Sequence, residues 1–125
     1  GVFYTDASTS KPTFANHLNA SNTATDIVAL VNDSPIQQYE VRSDNAGASA
    51  QLDVGNTADI AYTAGVAANY VSRATLDDSS LNANAEQQIK VIGVSRDPEN
   101  NDLTAANVVW RVIINQSFFN DLTGV

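Results

Sequence analysis

Between Arg96 and Asp102 the chain reads Arg-Asp-Pro-Glu-Asn-Asn-Asp, which puts the carboxylates of Asp97, Glu99 and Asp102 within six positions. Clustered carboxylate oxygens are the hard donors that Ca²⁺ prefers. The segment lacks the spacing of a helix-loop-helix calcium loop and its closing bidentate Glu, and Asp-Pro is an ordinary turn former, so a solvated turn is expected. Asp77-Asp78 is a second acidic pair. Adjacent side chains point apart, which suits a capped turn better than a proton-sharing dyad. His17 is the single histidine, with Asn16 and Asn19 close in sequence. General-base work would require it to be held rigidly beside a nucleophile. The chain has no cysteine and no second histidine, so neither a thiolate site nor a histidine-pair metal site can be built. With no glycine-rich phosphate loop, no activated nucleophile and no acid/base pair, the expectation is a non-catalytic protein with no metal and no cofactor. Three Asn-x-Ser triplets, at Asn19, Asn32 and Asn115, are the number that an Asn- and Ser-rich chain produces by chance.

Aromatic rings are the other residues able to carry a function, because they combine large buried area with low conformational entropy. The three aromatics Phe3, Tyr4 and Phe14 stand alone among small polar residues. That pattern builds no continuous core and suits anchors entering pockets on a neighbouring surface. Phe118 and Phe119 join them near the C-terminal end as candidate interface residues. Trp110 lies in an alternating apolar run and is expected in the core.

Charge and composition limit the partners. The formal net charge is -8, with six basic residues scattered along the chain. Nucleic acids and anionic membranes are bound by Lys and Arg displacing counterions, so neither is an expected partner. No apolar run approaches the length of a membrane span. Charged residues make up 16% of the chain, below the usual quarter or so, and Asn, Ser, Thr and Gln supply the polarity instead. Such side chains favour turns and strand edges and are cheaper to bury at an interface than full charges.

The elements that must position these residues read as mainly β. One small β-sandwich or β-barrel domain is expected over 26–125, preceded by an extended N-terminal arm over 1–25 in which Pro12 interrupts any ladder. Asp26 to Asn32 reads as a buried strand and Ile36 to Arg42 as a half-exposed one with Tyr39 and Val41 inward. Leu52 to Val54 and Ala58 to Thr63 read as short strands, and Leu76 to Ala85 as a turn or 3₁₀ segment. Gln87 to Val94 and Asn107 to Ile114, joined by a polar loop, are the clearest strands. In the second of them Val108, Trp110, Val112 and Ile114 share one face, and Val109, Arg111 and Ile113 the other, so burial on both faces is expected.

From Leu52 to Phe119 the chain resembles small structural proteins encoded beside the major capsid protein of tailed bacteriophages, the capsid decoration or cement proteins. The resemblance rests on Gly55-Asn-Thr-Ala-Asp-Ile60 leading into Thr63-Ala-Gly65, and on Leu76-Asp-Asp-Ser-Ser-Leu81 leading into Gln87-Gln-Ile-Lys-Val-Ile-Gly-Val94. Arg96-Asp-Pro-Glu-Asn-Asn101 followed by Val108 to Asn115 completes it. It implies a virion protein on the outer capsid surface, with the major capsid protein and copies of itself, as a homotrimer, for partners. A second reading is a carbohydrate-binding or adhesin-like β domain on a virion or cell surface. Its exposed rings would come from Tyr4, Tyr39, Tyr62, Tyr70 and the Phe118-Phe119 pair.

Overall fold

Strand geometry sends successive side chains of residues 108–114 to opposite faces, and Arg111 marks the less buried one. In the computed structural model, which describes residues 1–47, 49–66 and 68–117, Val108, Trp110 and Val112 are buried while Val109, Arg111 and Ile113 are half-buried. The protein is mainly β, and its described residues fall into two compact units, 1–32 with 66–71 and 33–65 with 72–117.

The first unit holds a three-stranded antiparallel sheet. Strand β1 (Val2–Thr5) lies between β2 (Pro12–Ala15) and β3 (Val28–Ala29). Pro12 does not interrupt the ladder. It opens edge strand β2 opposite Thr5, where a missing N–H is tolerated. Asp6 closes the β1–β2 connection, its Oδ1 accepting from the backbone N–H groups of Ser8 and Thr9 at 2.9 and 2.8 Å and from both hydroxyls. Asp26 accepts the Thr5 N–H at 3.0 Å and ties the approach to β3 back onto β1. The expectation of an extended arm over 1–25 is therefore corrected. Local side-chain hydrogen bonds supply the turns that let this Ser- and Thr-rich segment pair with itself.

The second unit is organised by a four-stranded antiparallel sheet in the order β4 (Gln38–Arg42), β9 (Val109–Ile114), β8 (Ile89–Val94), β5 (Thr57–Ala58). A two-stranded ladder of β6 (Ile60–Ala61) and β7 (Thr75–Leu76) accompanies it. Trp110 faces Val41 on one side and Val94 on the other, and Val112 faces Tyr39 and Val91. With Ala58, Leu76, Ile89 and Val108 these residues form the core. The reverse face of β9 meets Gln38, Glu40 and Lys90, which explains why it is half-buried and not fully buried as expected. A bulge at Ile92-Gly93 sets two residues of β8 against Arg111. A side chain at Gly93 would start 2.8 Å from the Arg111 guanidinium, whose Nε donates to the Val94 carbonyl at 3.1 Å.

Two expected strands take other forms. Gln51–Asp53 is a 3₁₀ turn closed by Asp53 accepting from the Ala50 N–H at 2.7 Å. The run from Asp26 to Asn32 contributes only the two residues of β3, and Ile27, Val28, Leu30 and Val31 are exposed. The 3₁₀ turn Asp78–Ser80, capped by Asp77, matches expectation. Among the described residues no sheet closes on itself as a barrel, and no helix is long and apolar enough to cross a membrane.

Candidate functional site

Phe3 and Phe14 are distant in sequence but directly opposite across the β1–β2 pair, and Val28 lies opposite Phe3 on β3. Directly opposed residues share a face, so the three side chains form a row across the small sheet. Leu30 continues it, since its N–H donates to the Gly1 carbonyl at 2.8 Å and it sits two positions beyond Val28. Pro12, two residues from Phe14, belongs to the same face. This face is open to solvent: Phe3 is 43% exposed, Phe14 65%, Val28 52% and Leu30 55%. Soluble proteins rarely leave so contiguous an apolar surface uncovered without using it. Its residues carry no formal charge.

Tyr4 follows Phe3 and alternation turns it to the opposite face, where it is half-buried. There it lines a cleft of about 310 Å³ with Asp6, Ser8, His17, Asn19 and Asn22. The His17 ring stacks on Tyr70, centroids 3.6 Å apart and planes 7° from parallel, and its Nδ1 lies 2.8 Å from Asn16 Oδ1. Hydrogen bonds from the hydroxyls and backbone of Ser8 and Thr9 hold the Asp6 carboxyl down at about 2, so it is ionised at any physiological pH.

Of the five residues expected at an interface, Phe3 and Phe14 meet on one face and Tyr4 lies on the other. Phe118 and Phe119 fall outside the described residues. Val28 and Leu30 were not anticipated, because an apolar run reads the same whether a second layer covers it or not.

The acidic loop is a turn, as its composition implies. Asp97 accepts from the Glu99 N–H at 3.0 Å and Asp102 from the Thr104 N–H at 2.9 Å. Asn100 performs the main structural task. Its side-chain amide donates to the Val109 carbonyl and accepts from the Val109 N–H, both at 2.9 Å, standing in for a strand residue beside β9. The Asp77-Asp78 pair divides in the same way. Asp77 caps the 3₁₀ turn through the Ser79 N–H at 2.9 Å, while Asp78 is buried and accepts from the Ser43 hydroxyl at 2.6 Å. Burial, and then the nearby Asp44 and Asp53, raise Asp78 above the ordinary carboxylate value. Among the described residues no group of three or more His, Cys, Asp or Glu side chains is arranged to hold a metal ion.

Of the tyrosines considered for carbohydrate contact, Tyr39 packs against the core, Tyr62 is exposed in the second unit, and Tyr70 supports His17. No family model matches the chain, and neither curated proteins nor solved structures provide a significant match.

Proposed function

We propose that this protein is a structural docking protein whose apolar sheet face seats on the outer surface of a tailed-phage capsid, with the major capsid protein as its partner. The observation that carries the reading is the row Phe14, Phe3, Val28, extended by Pro12 and Leu30, exposed on one face of the three-stranded sheet. An uncharged apolar face with aromatic anchors is the composition of an interface centre, where burying full charges would be costly. The resemblance of residues 52–119 to capsid decoration proteins supplies the identity of the partner. Association of the chain into a trimer would add avidity, since each copy could engage a separate capsid subunit.

Mixing purified protein with capsids that lack it, followed by sedimentation and imaging, tests the proposal. Wild type is expected to co-sediment. Phe14→Asp is expected to lose capsid binding while keeping the wild-type melting temperature, because a ring that is 65% exposed contributes little to folding. Undiminished binding by the variant, or no binding by wild type, overturns the reading.

A further inference from the structure

The cleft on the Tyr4 side of the first unit has no part in the docking reading, and the polar groups facing it have a definite sense. Each side-chain oxygen that could serve as a ligand through Oδ1 is already committed. Asp6 Oδ1 takes four donors from Ser8 and Thr9. Asn19 Oδ1 accepts from the Ser21 N–H and hydroxyl, both at 3.1 Å, and Asn22 Oδ1 accepts from the Ala24 N–H at 2.8 Å. Because backbone N–H groups must meet an oxygen, these turns fix which end of each carboxamide is turned away from its own backbone. What these turns leave to the cleft is one carboxylate oxygen, Asp6 Oδ2, and the NH₂ groups of Asn19 and Asn22, in a lining that also includes the hydroxyl-bearing Tyr4, Ser21 and Thr23.

That set selects its ligand by elimination among chemical classes. A metal ion requires several oxygens and is repelled by the positive ends of two NH₂ groups. An inorganic anion is repelled by Asp6, which hydrogen bonding keeps ionised down to about pH 2. An apolar molecule would leave the carboxylate oxygen and both NH₂ groups unpaired. A neutral ligand whose neighbouring groups both donate and accept satisfies the carboxylate and the carboxamides together. The half-buried Tyr4 ring and the His17 ring, held in plane by Tyr70, add flat surfaces for its C–H faces. The cleft volume of about 310 Å³ is suited to one small ring.

We infer that this cleft binds a single neutral sugar residue, Asp6 accepting from a ring hydroxyl while Asn19 and Asn22 donate to adjacent oxygens. Tyr70 is a positioning residue for His17. The inference is independent of capsid docking, because Tyr4 and Phe3 face opposite ways and the test uses the free chain.

The experiment titrates the full chain, ¹⁵N-labelled, with the methyl glycosides of glucose, galactose and mannose and with N-acetylglucosamine, and separately with calcium chloride. Saturable shifts of the Asp6, Ser8, Asn19 and Asn22 signals with at least one sugar are expected, together with none from calcium. The variants Asn19→Asp and Asn22→Asp keep the oxygen that each turn needs and replace the outward donor by an acceptor. Each is expected to weaken sugar binding about tenfold or more with the fold intact by spectral dispersion. No shift with any sugar, shifts that survive in both variants, or a response to calcium alone overturns the inference.

Discussion

Asp78 and Trp110 show how much a single position can hold. Asp78 Oδ1 and Trp110 Nε1 are buried and have no hydrogen-bond partner among the described residues. For Asp78 the consequence is a pH dependence of definite sign. Its folded pKa lies above the ordinary 3.8, so the folded state binds the proton more tightly than the unfolded state. The contribution of Asp78 to stability therefore rises as pH falls through its folded pKa and levels off below 3.8, and at neutral pH its buried charge is a standing penalty. Asp78→Asn keeps an oxygen for the Ser43 hydroxyl and removes the charge. It is expected to melt higher than wild type at pH 7, with the gap closing in acid, and a lower melting temperature at pH 7 would contradict this account. Trp110 is the opposite case, a side chain whose packing outweighs its unpaired N–H. Trp110→Ala is expected to destabilise the protein by about 3–5 kcal/mol in denaturant unfolding. A loss below about 1 kcal/mol would mean that the ring contributes little to the core.

Among the elements, β4, β8, β9 and the Asp78–Ser80 turn were legible in the sequence because their signals are local: alternation over several residues, or a side chain capping its own backbone. Residues 52–54 were misread as a strand because three residues carry no period, and Asp53 decided the outcome by bonding to Ala50. Asn100 was read only as part of a polar turn. Its two-way pairing with Val109 depends on where the loop returns, which spacing alone does not encode. Asn100→Ala is accordingly expected to cost about 1–3 kcal/mol, since it leaves the Val109 N–H and carbonyl without that partner. Faster amide exchange at Val109 would localise the effect, and unchanged exchange there would refute it. The candidate sites were legible in part. Phe3 and Phe14 stood out as isolated rings, but their meeting depends on the hairpin register. The spacing of Asp6 to Ser8, Asn19 to Ser21 and Asn22 to Ala24 announces three turns without announcing that they border one cleft.

For the whole molecule, a low fraction of charged side chains and an open apolar sheet favour self-association. A trimer at micromolar concentration is the expected result of native mass spectrometry. A strict monomer would refute a trimer of the free chain. The division of the chain also governs how the protein is made. Residues 1–32 and 66–71 belong to one unit although residues 33–65 of the other lie between them. During synthesis the β1–β2–β3 sheet can pair as soon as Ala29 has left the ribosome, yet His17 waits for Tyr70. The Phe3–Phe14 row is thus laid out early, while the opposite side of the same sheet stays unfinished until translation has passed through the first segment of the second unit. Until Tyr70 has been made, the His17 ring lacks the partner it stacks on, so the Tyr4-side cleft is the last part of the first unit to be completed.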